Sequence, residues 1–547
     1  MTSEPTPARS TGRHRAAPVG GTDLDAPHHP STRPTRPVAD LLIDPDHRAM
    51  ALSAAVDGLR LRDPDRSASV AFNRTQKVLG FGLLGAIVAL VVVWPTATLA
   101  TLVSIATIAY VATLVDRLVI FRRGLTSGAL RVTDEQALAI PEDELPPYTV
   151  LVPAYGEPEV VGDLIAAIET IDYPLDRLQV LLLLEEDDGP TIAAARAVEA
   201  AGRVTVVLTP PAQPRTKPKA CNYGLHFATG DIVTIFDAED QPDPLQLRRA
   251  VHVLRNSDES VVCVQSKLGF HNAGDNLLTK WFTADYGIWF GFLLPGLMAS
   301  RAPIPLGGTS NHFRRDVLDD LGGWDPFNVT EDADLGVRIA ARGYRTAVLD
   351  SVTLEEANVD AINWVRQRSR WYKGYLQTWL VHMRHPVALW RVLGTVSWCR
   401  FTLLIAGTPL IACANMIFWL ILALWVAGQP TMISALFPGP IYYLALASLV
   451  VGNGAALYMN LVAIREDDRS DLLVAALLIP AYWMLMSIAA IKGVWQVLVN
   501  PSYWEKTFHG LSTSSASAGS TGSTGSAGST GSAGSAGSQT GRAGSRG

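Results

Sequence analysis

Five long runs without a charged residue dominate this chain, and so many do not pack into one soluble domain of ordinary composition. From Val78 to Trp94 (VLGFGLLGAIVALVVVW) and again from Thr96 to Val115 no residue is charged. Further apolar stretches run roughly over 401–427, 441–464 and 472–491. Runs of this length span a hydrocarbon core of about 30 Å as helices. Composition agrees: hydrophobic residues make up 48% and charged residues only 18%, against about a quarter charged in soluble domains. Arg74 and Lys77 precede the first run, and Arg117, Arg122 and Arg123 follow the second. The positive-inside rule therefore places both ends of a tight transmembrane hairpin on the cytoplasmic side. A Pro, Arg and His-rich leader ahead of the first run argues against a cleaved signal peptide. After the soluble segment the charges give no asymmetry, so the last apolar stretch either crosses or lies along the interface.

The expected organisation is a disordered leader over 1–70, a transmembrane hairpin over 71–123, a cytoplasmic α/β domain over 124–386, transmembrane or interfacial helices over 387–510, and a disordered Ser and Gly-rich tail over 511–547. The 45 Lys and Arg are outweighed by 51 Asp and Glu, for a net charge of -6. That excludes a generally basic nucleic-acid binder. Four cysteines with no C-x-x-C pair argue against a disulfide scaffold or a structural zinc site.

Within the soluble segment, short apolar runs at 148–152, 180–184, 204–208, 232–236 and 261–265 alternate with helical stretches. Fully apolar strands between helices predict a mostly parallel sheet covered on both faces. Ligands of such sheets bind beyond the C-terminal strand ends. There the chain places Tyr155 and Glu157, then Glu186, Asp187 and Asp188, then Asp237, Glu239 and Asp240. Asp237 and Glu239 have the spacing to hold a hard divalent cation through oxygens; the same pattern also suits an ordinary Asp-rich turn. Lys217 and Lys219 precede a helical stretch that would bring positive charge to a phosphate, or belong to a solvated basic loop. No G-x-G-x-x-G follows the first strand and no G-x-x-x-x-G-K-[ST] occurs, so a dinucleotide oxidoreductase and a P-loop ATPase lose their main support.

Two more motifs complete the picture: Thr330-Glu331-Asp332, and Gln367-Arg368-Ser369-Arg370-Trp371. With Asp237-Ala238-Glu239 in the D-x-D place, and in this order between apolar runs, the chain from about 146 to 510 resembles the processive family 2 glycosyltransferases, which include bacterial cellulose, curdlan and hyaluronan synthases. The resemblance implies a GT-A fold, a nucleotide-diphosphate sugar donor such as UDP-glucose or UDP-N-acetylglucosamine, Mg²⁺ or Mn²⁺, and inverting transfer. Asp332 is then the base, with Glu331 beside it, and Asp237 and Glu239 hold the metal. Tyr155, Glu157, Glu186, Asp187, Asp188, Lys217, Lys219, Asp240 and Arg370 fall to the donor. Gln367, Trp371, Gly308 and Thr309 fall to the acceptor, although Trp371 among other aromatics also suits a membrane-interface anchor. Tyr503, Trp504, Lys506 and Thr507 match a divergent gating segment. The aromatic stretch 281–299, interrupted by Asp285 and Pro295, suits an interfacial helix.

The implied activity is polymerisation of a β-linked polysaccharide onto a growing glycan, with extrusion across the plasma membrane by a multi-pass protein. Accessory export or cell-wall subunits are not legible in the chain. Transfer of one sugar to a polyprenyl phosphate or glycolipid is the alternative, and a non-catalytic membrane scaffold or transporter is the reading from another class.

Overall fold

The computed structural model describes residues 34–159, 161–199, 202–428, 431–501, 503 and 505. Its centre is an eight-stranded sheet: β1 Tyr148–Ala154, β2 Leu178–Glu185, β3 Thr205–Thr209, β4 Ile232–Ile235, β5 Gln241–Pro242, β6 Val261–Phe270, β7 Asn311–Arg314 and β8 Arg345–Glu355. The order is β3-β2-β1-β4-β7-β6-β8-β5. All five apolar runs form strands, and β1 and β2 are buried along nearly their whole length, as helices on both faces require.

The sheet is mixed rather than mostly parallel. β3, β2, β1 and β4 are parallel, but β7 runs antiparallel between β4 and β6. β6 and β8 are again parallel, with β5 antiparallel at the edge. Because β7 is reversed, its first residue Asn311 pairs with Ile235 near the end of β4. The Gly-rich loop that enters β7 is thereby delivered to the edge where β1 and β4 end.

The expected disorder of the leader is overturned for residues 34–70. Helices Val38–Ile43 and Pro45–Arg62 form there, the second capped by Asp44, whose carboxylate accepts from the Asp46 and His47 amides. Ala51, Ala55 and Leu59 recur at four-residue spacing and are buried. They pack this helix on Lys217–Leu225, where the Asn222 amide donates to the Ala55 carbonyl at 3.2 Å. Alanines make a narrow apolar face, which is why the pattern is hard to see among the charges.

Among the described residues five helices are long and apolar enough to cross a membrane: Arg74–Val93, Pro95–Ser127, Pro386–Gly428, Gly439–Glu466 and Ile479–Val499. The last starts later than the apolar run, after short turns at Ser470–Leu472 and Leu473–Leu477, with a proline in its first turn. Helix Pro386–Gly428 is bent at Gly394, where φ is 74°, and widened at Thr402–Ala406. Helix Pro95–Ser127 continues past its arginines to join the sheet domain. Gly124 and Gly296 allow that contact, since a Cβ on either would overlap the backbone of Phe292 or Ile120. The 281–299 stretch lies in one continuous helical run that widens at its middle. It is Leu277–Ile288, a wide turn Trp289–Leu293 and Leu294–Ala299, several of whose apolar side chains enter the core.

Candidate active site

The C-terminal edge of the sheet opens into a cavity of about 580 Å³. β1 ends there with Tyr155 and Glu157, β4 with Asp237 and Glu239, and the loop before β7 with Gly308 and Thr309. Helix Glu331–Ala341 points its first turn into the same space and brings Glu331 and Asp332. Helix Ala361–His382 closes the far side with Gln367, Arg370 and Trp371. These sequence-predicted residues, together with Lys217, therefore share one chamber.

Lys217 is the hub. Its ammonium donates to the Asp237 carboxylate and, at 2.8 Å, to the Gly308 carbonyl. A Cβ on Gly308 would sit 3.5 Å from the Asp332 carboxylate and 3.8 Å from Lys217 Nζ. A methyl group there would be in ordinary contact with both, in the space between the Asp332 carboxylate and the Lys217 ammonium. Burial opposes the Lys217 charge, but Asp237, Cys221 and Glu331 together outweigh it and hold the ammonium above its ordinary range.

The two carboxyls of helix Glu331–Ala341 differ. Burial pushes Glu331 up to about 8, with Asp332 adding to the shift, and burial pushes Asp332 up to about 6. Asp332 accepts from the Ala333 amide at 2.7 Å, which favours its ionised form. Burial thus raises both carboxyls, Glu331 further than Asp332. The helix is seated by a buried network in which Asp334 accepts from Arg338 at 2.8 Å and pairs with His382 at 2.9 Å. Gly336 lets its backbone meet that of Ile304.

On the other helix, Gln367 accepts from Asn358 at 2.9 Å. Arg370 lies within electrostatic reach of Glu331, Asp332 and Asp237. Trp371 is stacked beside Tyr286 and lies 4.5 Å beneath the Arg368 guanidinium, which in turn pairs with Asp285 at 3.1 Å. These contacts hold its ring at the wall of the cavity, alongside Tyr372 and Tyr375.

Other predicted residues stand outside the chamber. Lys219 is fully buried and paired with Glu185 at 2.8 Å. Glu186 pairs with Arg48 of the N-terminal helix, and Asp188 accepts from the Gly156 amide at 2.5 Å. Asp187 binds Arg215 at 2.5 Å, and Arg215 also donates to the Tyr155 hydroxyl at 2.9 Å and lies over its ring. Asp240 is buried under the loop, accepting from the Asp237 amide at 2.7 Å and from the Thr309 hydroxyl. Of the gating segment, Trp504, Lys506 and Thr507 lie outside the described residues. Tyr503 is held where its carbonyl accepts from Lys373 at 2.6 Å. Sequence reasoning missed Arg215 and the pair Glu355-Glu356, all on the cavity wall. The acids lie at the end of β8 as Asp237 lies at the end of β4, so recognising that strand would have found them.

The donor set suits a divalent cation of a particular kind. Among the described residues no three His, Cys, Asp or Glu side chains are grouped to enclose an ion. Yet Asp240 Oδ1 is buried without a hydrogen-bond partner. Burial, then Asp237 and Glu239, push the Asp240 carboxyl well up, and burial, then Asp240, Asp237 and Glu239, do so at Glu355. Such crowded negative charge favours a hard cation held by one or two carboxylates, its shell completed by substrate phosphates.

Residues 146–374 match the family model described as glycosyltransferase like family 2. The probable glycosyltransferase YdaM of Bacillus subtilis is 30% identical over 237 residues, 42% of this chain and 56% of that protein. A beta-monoglucosyldiacylglycerol synthase of Trichormus variabilis is 26% identical over 340 residues, 60% of this chain and 67% of the relative. The chain spans little more than half the length of the first of these. A structure of the mannosyltransferase PcManGT from Pyrobaculum calidifontis, in complex with GDP-Man and Mn²⁺, has a TM-score of 0.48 and 21% identity, covering 73% of this chain and 99% of that one. Residues 146–374 thus combine a match to the family 2 glycosyltransferase model with strand-end acids and a GT-A-like fold, set among helices apolar enough for a membrane.

Proposed function

We propose that this chain is an inverting hexosyltransferase that extends a β-linked glycan from a nucleotide-diphosphate sugar, UDP-glucose or UDP-N-acetylglucosamine, and passes the product across the plasma membrane. One observation carries the reading. The cavity that holds Asp332, Lys217 and Asp237 runs on to Thr408, Trp483 and Met486 of the long apolar helices. A glycan leaving the acid cluster thus has an aromatic-lined way toward the bundle, and aromatic faces suit sugar rings.

Inverting transfer needs a base at the acceptor hydroxyl and positive charge at the departing diphosphate. Asp332 takes the hydroxyl proton while Glu331, kept protonated, does not repel it. Lys217 and Arg370 neutralise the diphosphate, and Tyr155 with Arg215 and Asp187 frames the nucleoside. Asp237 and Glu239 would hold Mg²⁺ or Mn²⁺. When bound, the ion acts as a Lewis acid on the leaving group. Gln367 and Trp371 position the acceptor ring against Gly308 and Thr309.

A second reading, single transfer to a lipid, draws support from the likeness to the diacylglycerol-modifying relative along 340 residues. The test is incorporation of labelled sugar from UDP-glucose, UDP-N-acetylglucosamine and GDP-mannose by the purified full-length protein, with product sizing. A long polymer from one donor is expected. Product limited to single-sugar lipid would overturn polymerisation, and no nucleotide release from any donor would overturn transfer.

A further inference from the structure

We propose that the N-terminal helix Pro45–Arg62 is a working part of the donor site, and that its Arg48 is a positioning residue that holds the nucleotide pocket in shape from outside residues 146–374. The inference rests on the donor reading above, in which Tyr155, Asp187, Arg215 and Lys217 face the nucleotide sugar.

Three elements deliver the last three of those residues. The turn after β2 carries Asp187, the stretch after β3 leads to Arg215, and helix Lys217–Leu225 opens with Lys217. One guanidinium touches all three elements. Arg48 pairs with Glu186 in the turn, donates to the Leu208 carbonyl of β3 at 3.5 Å, and donates to the buried Tyr223 hydroxyl of the helix at 3.4 Å. Several fixed donors in one plane suit arginine to such a junction.

The turn after β2 shows why the outside contact matters. Its four consecutive acids are each tied to a different element. Glu185 pairs with Lys219 at 2.8 Å, Asp187 pairs with Arg215 at 2.5 Å, and Asp188 accepts from the Gly156 amide at 2.5 Å. Of the four, Glu186 alone takes its partner from outside residues 146–374. Its neighbour Asp187 fixes the guanidinium that lies over the Tyr155 ring. An isolated exposed ion pair would contribute little, but the Arg48 side chain is only 30% exposed and stands on an anchored helix. Ala51 and Ala55 pack that helix on Lys217–Leu225, and Asn222 donates to the carbonyls of Ala55 at 3.2 Å and Trp324 at 2.7 Å. Beyond the helix end, Asp325 holds the Ala68 amide and the Ser67 hydroxyl.

Titration of the full-length protein in detergent with UDP and with GDP, each in the presence of Mn²⁺, reads the pocket without an acceptor. For whichever nucleotide the parent binds, Arg48→Met should raise Kd about fivefold or more. Glu186→Gln should raise it in the same direction from the other side of the contact, and keeps the test decisive if Arg48→Met fails to fold. The double variant should bind no more weakly than Arg48→Met, because both changes remove one link. Arg48→Lys, which keeps the charge beside Glu186 but not the planar fork, should recover part of the affinity. In labelled-sugar transfer the donor KM should rise with Kd while kcat stays within about threefold. Arg62→Met is the control at the far end of the same helix. It loses the hydrogen bond to the Asp319 carbonyl at 3.3 Å and should lower thermal stability while leaving Kd within about twofold. Nucleotide affinity unchanged in both Arg48→Met and Glu186→Gln, or weakened as much by Arg62→Met, would overturn the positioning role and leave the helix a stabilising brace. A parent that binds neither nucleotide would instead sink the nucleotide-sugar reading, so the two failures are told apart.

Discussion

Gly374 of helix Ala361–His382 lies directly against Thr330, so that a Cβ at position 374 would overlap the threonine side chain. The two motifs Thr330-Glu331-Asp332 and Gln367 to Trp371, well separated in the chain, are therefore fitted to each other through a missing methyl group. The neighbour is a β-branched side chain with little freedom to move aside.

Gly374→Ala should push Thr330 away and carry Asp332 with it. Overpacking of this kind costs about 1–3 kcal/mol, and a shift near 1 Å at a reacting group lowers rates about 100-fold. Turnover is expected to drop by a factor between about 10 and 100, with donor KM changed much less because Lys217 and Tyr155 sit on other elements. A Gly374→Ala enzyme with normal turnover would show that the contact has slack. The companion Thr330→Ser, which removes one of the crowding atoms and frees the remaining hydroxyl to rotate aside, should restore part of the loss in the double variant.

With Asp332 as the base proposed above, its ionisation should set the acid side of the pH profile. Burial raises this carboxyl to about 6, and the base works only when ionised, so the transfer rate should fall as pH drops through that value. Asp332→Asn should reduce transfer at least 1,000-fold at every pH while titrations still show donor binding. Glu331→Gln, which imitates the protonated state expected near pH 7, should keep most activity and leave the acid limb near pH 6. Loss of activity in Glu331→Gln equal to that of Asp332→Asn would reverse the two assignments.

Asp325 ties the N-terminal segment to the catalytic domain. It accepts from the Ala68 amide at 2.5 Å and from the Ser67 hydroxyl at 3.2 Å. Burial, assisted by Asp334, lifts it from 3.8 to about 6. Between these values the folded state keeps a proton that the unfolded state has lost. Stability therefore declines as pH rises from about 4 to about 6, by about 3 kcal/mol from this group at 1.36 kcal/mol per unit. Asp325→Asn should remove that part of the slope. Comparing thermal unfolding of the two proteins at pH 4.5 and 7 checks it, because slopes from Asp332 and Glu331 are common to both; parallel curves would contradict the assignment.

Much of the site was legible because parallel strands deliver their polar C-terminal residues to one edge, and Tyr155, Asp237 and Glu239 are the residues next in the chain after β1 and β4. Geometry that depends on packing was not. Asn311–Arg314 is a four-residue strand with a polar sequence, recognisable only by its pairing with Ile232–Ile235. Missing that reversed strand and β8 hid the mixed sheet and the acids Glu355 and Glu356. The N-terminal helix escaped because alanine supplies its buried face. Lys217 and Lys219 stand two residues apart in one motif, yet only the fold separates them, one into the chamber and one beneath it.

That separation gives a last expectation. Lys219 is wholly buried against Glu185, whose carboxyl is raised by burial in spite of the lysine. Lys219→Met leaves the acid buried and unpaired, a change that costs about 3–5 kcal/mol in comparable pairs. Replacing both partners, in Lys219→Met with Glu185→Met, removes the orphaned charge and should return most of the stability, since apolar pairs of similar volume are often neutral substitutes. If Lys219 serves packing alone, donor KM in the double variant stays within a few-fold of the parent, whereas Lys217→Met, which strips the ammonium between Asp237 and Gly308, raises it at least 30-fold. A comparable rise in the double variant would put Lys219 or Glu185 back among the donor contacts.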